Sequence, residues 1–286
     1  MLPAGPLLPA MPSRCVRFLT HLRLRFAPVM ARVGRLPDGR PGRPRAHQHP
    51  ANRLLAALPA DEFARLASHL HEIPLDLGRT LFKADEPIRH VCFPDAGVCS
   101  VMAAMRTGAT VEVGTIGNEG MTGLALYFGE TTEPHNAVVQ VPGRGRILAA
   151  EVFEEEMARQ GILRRLIGYY AHARMIQIVQ SAACNQLHSL EQRACRWLLM
   201  THDRVQGDTF KLTHELWGLM LGVRRSSVTS IASKLQRAGF IEYRHGNLII
   251  TNRPRLESKA CECYRVVRDY FDRPFQELTA DAIRSS

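Results

Sequence analysis

Beyond residue 51 the spacing of apolar and polar residues changes character twice. Asn52 stands where it can cap a short helix running to Leu58. Phe63, Leu66, Ala67 and Leu70 then recur at helical spacing behind Pro59-Ala60-Asp61-Glu62. The period shortens to strand-like runs over 73–77, 80–83, 90–93, 98–105, 109–116, 137–141 and 146–149. Asp76-Leu77-Gly78, Pro94-Asp95-Ala96-Gly97, Arg106-Thr107-Gly108 and Pro142-Gly143-Arg144-Gly145 punctuate them as turns. Many short strands between Gly and Pro turns predict an antiparallel roll or sandwich over 51–160.

After Glu151 the strand signals stop. A short acidic helix is predicted over 151–159, and a long one over 162–186 within a segment bounded at 161–187. Ile162, Leu166, Tyr169, Ala173, Ile176, Gln180 and Ala183 step by four and three along the long helix, with Leu163, Tyr170, Gln177 and Cys184 widening one flank. With one side against the roll, such a seam leaves apolar surface for a second copy of the chain, so a homodimer is expected. Ser189-Leu190-Glu191-Gln192 reads as a capping box opening a helix with Leu190, Ala194, Trp197 and Leu198, and Gln206-Gly207-Asp208 ends that unit.

Residues 211–250 are the most informative. Thr213 can cap a helix whose inner face is Leu216, Leu219 and Met220, and Gly222 then supplies a left-handed turn. A second helix, expected to start near Arg224, buries Val228, Ile231 and Leu235 and shows an outer face of Arg224, Arg225, Ser226, Ser227, Thr229, Ser230, Ser233 and Lys234. A helix that enters a major groove about 12 Å wide needs such an outer face, free of bulky apolar groups. Arg can grip guanine with two parallel hydrogen bonds, and hydroxyls suit phosphate oxygens. Residues 240–244 and 248–251 around His245-Gly246-Asn247 read as a hairpin, a wing carrying Arg244 and His245. The winged helix-turn-helix is assigned to 188–255, and a helical extension to 256–286. Fold class is therefore α+β.

Composition sharpens this picture. The 286 residues suit two domains, 45 % of them are hydrophobic, and the formal net charge is +10. Residues 1–50 hold nine Arg and one Asp, a net of +8, with nine of the 17 Pro. That stretch is expected to be disordered: an extension without function of its own, or an arm adding non-specific DNA affinity. Residues 51–203 carry a net of −3 and residues 204–286 a net of +5. A basic folded end points to nucleic acid. No apolar run is long enough for a membrane span, and no secretory signal is apparent, so a cytoplasmic protein is expected, at the nucleoid if DNA is its partner. The seven scattered cysteines read as reduced thiols, and Cys261-x-Cys263 is too little for a metal site, so no metal ligands are assigned.

The segment Leu212-Thr213, Gly222-Val223-Arg224-Arg225-Ser226-Ser227-Val228 and Leu235-Gln236-Arg237-Ala238-Gly239-Phe240-Ile241 resembles the C-terminal domain of the Crp-Fnr (cyclic-AMP receptor / fumarate-nitrate regulator) family. The resemblance implies a dimeric transcription regulator with an N-terminal cyclic-nucleotide-binding β-roll, a long dimer helix and a winged helix-turn-helix. It covers about 52–255 and is most specific in the helix-turn-helix. By the match, Arg225 takes the place of the family's base-reading Arg. Ser226 and Ser230 stand where many members carry Glu and Arg, so the family's usual half-site does not transfer.

The roll departs further. Nucleotide-binding members carry a Gly-Glu pair and, some ten residues later, Arg-Ser or Arg-Thr. Here Gly117-Asn118-Glu119-Gly120-Met121-Thr122-Gly123 leads to His135-Asn136 where Arg-Ser would be. A buried phosphate would lack its counter-charge. Gly120, Gly123, His135 and Asn136 mark the place of an effector pocket, but independence from cyclic AMP is expected. Oxygen-sensing members gather N-terminal cysteines, where this chain has only Cys15, so no iron–sulfur cluster is expected. Haem has no support beyond the presence of His90 and His135, and no cofactor is expected. Hydrolase, metalloprotease, phosphate-loop and dinucleotide motifs are absent from the sequence, which argues against an enzyme. Double-stranded DNA, a second copy of the chain and RNA polymerase are the expected partners. The alternative is a ligand-binding or protein-interaction module whose winged helix does not touch DNA.

Overall fold

A computed structural model describes residues 50–284; the Pro/Arg-rich segment 1–49 lies outside the described residues. The buried Asn52 caps α1 (Arg53–Ala56), its Oδ1 accepting from the Leu54 and Leu55 N–H groups at 3.1 and 3.3 Å. Its Nδ2 donates to the carbonyls of Pro94 and Gly120 at 2.9 and 2.8 Å. One amide thus satisfies a helix start and pins it to the sheet. The second helix, α2, spans Ala60–Ala67 behind Pro59.

Strands β1 (His71–Leu75), β2 (Thr80–Phe82), β3 (His90–Ala104), β4 (Thr110–Ile116) and β5 (Asn136–Ala149) form one antiparallel sheet in the order β1-β5-β3-β4, with β2 also on β5. Two expected turns are not turns. Residues 94–97 and 142–145 lie inside β3 and β5, which pair continuously from His90 opposite Ala149 to Met102 opposite Asn136. The register shifts between Pro94 and Cys99. There the two backbones touch: a Cβ on Gly143 would lie 2.0 Å from the Ala96 carbonyl oxygen. Pro and Gly mark bulged bends that let long strands curl into a roll, rather than chain reversals. A 3-10 turn at Leu124–Phe128 follows the glycine-rich run and was not anticipated from the sequence.

Helix α3 (Ala150–Ala158) leads into α4 (Ile162–Leu187), whose bounds match the expected long helix. The Glu62 carboxylate accepts from the Ile162 and Leu163 N–H groups at 2.9 and 3.2 Å, satisfying donors that a helix start leaves open. The expected seam needs correction. Leu166 and Ala173 are enclosed by the chain's own core beside Leu163, Ile167 and Tyr170, so neither can meet a partner. Ile162, Ile176 and Gln180 are half-buried, while Tyr169 and Ala183 are exposed. The roll and the C-terminal helix together take the face that holds Leu163, Leu166, Tyr170, Ala173 and Gln177. The free apolar ridge lies around the helix from it, at Met175, Ile178 and Val179, with Leu187 at the end. Spacing alone locates a stripe but cannot say which neighbour covers it.

Beyond the capping box of Ser189 and Gln192, α5 (Leu190–His202) leads to β6 (Thr209–Lys211), α6 (His214–Leu221), α7 (Arg225–Arg237), β7 (Ile241–Arg244) and β8 (Asn247–Ile250). The unanticipated β6 adds a third strand to the wing, in the order β6-β8-β7. Trp197, Leu198, Phe210, Trp217, Val228, Leu235, Leu248 and Tyr264 form its core. The rings of Trp197 and Trp217 lie 6.5 Å apart, and truncating such a buried indole costs about 3–5 kcal/mol. The expected C-terminal extension is two helices, α8 (Arg253–Lys259) and α9 (Cys263–Arg284), the latter packed along α4 through Tyr170 and Phe271.

Candidate nucleic-acid interface

The helix-turn-helix is set by three local devices. The Thr213 hydroxyl accepts from the Leu216 N–H at 3.1 Å and caps α6. Gly222 turns the chain at φ 67°, a left-handed conformation that favours glycine. The Val223 N–H returns to the Gly218 carbonyl at 2.9 Å, closing the helix end. Arg193, which the sequence did not single out, donates to the Leu221 carbonyl at 2.7 Å and fastens the turn to α5. Arg224 caps α7, which opens at Arg225, so the helix starts where its sequence places it.

Helix α7 buries Val228, Ala232 and Leu235, while the expected Ile231 is half-buried at the edge of that face. Arg224, Arg225, Ser226, Thr229, Ser230 and Lys234 are exposed, and Ser227 is half-buried. On the inward side of α6, Trp217 and Met220 are buried and Leu216 and Leu219 half-buried. The Arg225 guanidinium stands 3.4 Å from the Glu215 carboxylate. Lys234 pairs with Glu191, and Arg244 with Glu242. Exposed pairs of this kind are worth about 0–1 kcal/mol, so a phosphate can displace them at little cost. His214 Nδ1 lies 3.0 Å from the Thr229 hydroxyl, which itself reaches the Arg225 carbonyl. Burial, then the charge of Arg225, hold the His214 imidazole below its ordinary value. On the wing, His245 and Gly246 occupy successive left-handed positions at φ 50° and 78°, and Arg244 and His245 are exposed at the tip.

The glycine-rich run has a different fate. Glu119 is buried, and Arg204 donates to its Oε1 from Nε and Nη2 at 2.9 and 2.8 Å, while Nη1 reaches the Met200 carbonyl. Burial would raise the Glu119 carboxyl, but the Arg204 charge and hydrogen bonds outweigh it and hold it below its ordinary value. Gly120 lies against the Tyr170 ring, 2.1 Å from where a Cβ would be. The Asn136 Oδ1 accepts from the Ala84 N–H at 3.1 Å. A cleft of about 240 Å³ beside Glu119 is lined by Arg53, Asn118, Arg204, Tyr264, Arg268 and Asp272 among others, and by none of Gly120, Gly123, His135 and Asn136. A second joint lies at Glu112, which accepts from Trp197 Nε1 at 3.0 Å and from the Ser100 hydroxyl at 2.6 Å. Burial pushes its carboxyl up despite those bonds.

Residues 192–259 match the profile of the Crp-like helix-turn-helix domain. No protein with a curated description matches the sequence. Among solved structures, a transcriptional regulator assigned to the Crp/Fnr family from Eubacterium rectale is 16 % identical, with a TM-score of 0.57 over 73 % of this chain and 98 % of that one. FixK2 from Bradyrhizobium japonicum is 15 % identical, with a TM-score of 0.57 over 67 % of this chain and 98 % of that one. A CRP-family transcriptional regulator from Thermus thermophilus is 16 % identical, with a TM-score of 0.56 over 66 % and 96 %. At these identities the likeness is one of fold. No helix among the described residues is long and apolar enough to cross a membrane. Residues 192–259 are thus a Crp-like helix-turn-helix domain, carried on a chain with the fold of the Crp/Fnr regulators.

Proposed function

We propose that the chain is a DNA-binding transcription regulator, a cytoplasmic homodimer without enzymatic activity, that acts on RNA polymerase from its bound site. The carrying observation is the outer face of α7: Arg225, Ser226, Thr229 and Ser230 are all exposed just past the Gly222 turn, while Val228, Ala232 and Leu235 hold the opposite side in the core. In this reading Arg225 grips a guanine edge, Arg224 and the hydroxyls of Ser226, Ser227, Thr229 and Ser230 position the helix on phosphates, and Thr213, Lys234, Arg244 and His245 flank the contact. The helix start adds a favourable field for phosphate. The free ridge of α4 at Met175, Ile178 and Val179 supports pairing of two copies, whose α7 helices would read half-sites about one helical turn apart.

Cyclic AMP independence belongs to the same reading. Glu119, next to Gly120 of the expected pocket, is committed to Arg204, and the position of the family's phosphate-binding Arg holds His135. Band-shift titrations of genomic fragments against salt test the DNA-binding core of the proposal. Affinity should fall steeply as salt rises, at about 0.9 log unit per log unit of salt for each neutralised phosphate. Weak binding that ignores salt and sequence alike would remove it.

A further inference from the structure

Four side chains that DNA binding does not use converge where α4 ends. Cys184 and His188 stand one turn apart, in the last turn and just past the end of the helix, while Cys261 lies in the short link between α8 and α9 and Cys263 opens α9. Their three sulfurs and one imidazole nitrogen all lie within 4.8 Å of one another. Cys184 and Cys261 are 3.5 Å apart at sulfur, and Cys263 Sγ is 3.5 Å from His188 Nδ1. A tetrahedral zinc ion binds thiolates at about 2.3 Å and imidazole at about 2.0–2.1 Å, which sets its ligand atoms roughly 3.5–3.8 Å apart. The cluster needs only a small contraction to meet that geometry.

The surroundings fit a metal centre better than four unrelated residues. All three cysteines are buried and face one another. His188 turns Nδ1 toward the sulfurs and Nε2 toward the Glu262 carboxylate, 3.3 Å away, the arrangement by which a carboxylate orients a ligating imidazole. Gln180 Nε2 donates to Cys263 Sγ at 3.1 Å. Arg196, buried and hydrogen-bonded to Ser181 one turn from Cys184, keeps Nε among the buried atoms without a partner and places a positive charge beside the cluster. Three thiolates and a neutral imidazole around a divalent ion leave one net negative charge for it to balance.

We propose that Cys184, His188, Cys261 and Cys263 form a closed Cys3His site for a divalent transition metal, with zinc the ion its ligand set selects. Four protein ligands leave no open position, so the ion is a brace and not a catalyst. On binding, the three thiols give up their protons to solvent and the metal takes the sulfurs. The brace ties the end of α4 to the link that starts α9, joining the helix with the free apolar ridge to the C-terminal helices.

Metal analysis of the untagged full-length chain, purified under reducing conditions, should find one zinc per chain. Removing it with a chelator should lower the midpoint of thermal unfolding, and zinc should restore it. Cobalt(II) added to the stripped chain should give the visible and near-ultraviolet bands of a tetrahedral, thiolate-rich site. Cys263→Ser and His188→Ala should lose bound metal, whereas Cys195→Ser, at a buried thiol outside the cluster, should keep it. If the ligand variants fail to fold, the cobalt spectrum of the unmodified chain still decides. A folded chain without zinc and without cobalt bands overturns the proposal. So does zinc content untouched by Cys263→Ser, a Cys184–Cys261 disulfide trapped on rapid alkylation of cells, or iron with acid-labile sulfide at these residues.

Discussion

At the turn between α6 and α7, Gly222 bends the chain and the polar residues after it stay in solvent. In the run from Gly117 to Gly123 the glycines admit neighbours instead: Tyr170 fills the space at Gly120, and Arg204 reaches in to Glu119. Both segments join glycines to a charged group. Solvation separates them. An exposed cation such as Arg225 exchanges a weak pairing with Glu215 for a phosphate or a base at little cost. A buried carboxylate that stays charged must be paired inside the protein, and once Glu119 holds Arg204 it cannot serve a ligand without leaving a guanidinium uncompensated. The same kind of residue is a binding group in one place and a structural joint in the other.

Removing the joint should have the largest effect. Arg204→Ala should cost about 3–5 kcal/mol in urea unfolding, because it leaves Glu119 charged and buried alone. The pH dependence has a sign. In the parent chain the Glu119 carboxyl is held low, so its stabilisation is present above its unfolded value of about 4.3 and is lost as pH falls through the lower folded value. In the variant, burial without Arg204 raises the carboxyl. The deficit should therefore shrink as pH falls toward about 4, and a deficit independent of pH would deny the pair its role.

Arg225→Ala should leave stability unchanged and cost about 1–3 kcal/mol on the specific site, with relaxed preference at one base pair. Competition with single-base operator variants measures this; equal loss on specific and random DNA would move base reading elsewhere on α7. Val179→Glu, on the free ridge of α4, should weaken self-association about tenfold or more, about 1.4 kcal/mol, in sedimentation, with the monomer still folded. The same change at Ala173 would test something else, since that side chain is enclosed in its own chain and a charge there should disrupt the core. The smallest expected effect is that of cyclic AMP, which should produce no saturable heat in calorimetry and no change in DNA affinity. Micromolar binding coupled to a change in DNA affinity would show that the roll keeps an effector site despite the Glu119–Arg204 joint.

Local order was legible from residue types: the caps at Asn52, Thr213 and Ser189, the left-handed Gly222, the long helix to its ends, and the outer face of α7. Each depends on neighbours within a turn or two, where spacing and side-chain chemistry act directly. Misreadings came where distant chain segments meet. Pro94–Gly97 and Pro142–Gly145 look like reversals one strand at a time, and become bulges only because β3 and β5 bend over each other. The seam on α4 has the right period, but which of its residues stay free depends on how the roll packs against the helix. Cys184 and His188 stand four residues apart at one helix end, yet their spacing carries little weight until folding brings Cys261 and Cys263 across from them. Short-range hydrogen bonding and helical period are written in consecutive residues, whereas burial, and with it the choice between a charge that binds and a charge that braces, is a property of the packed whole.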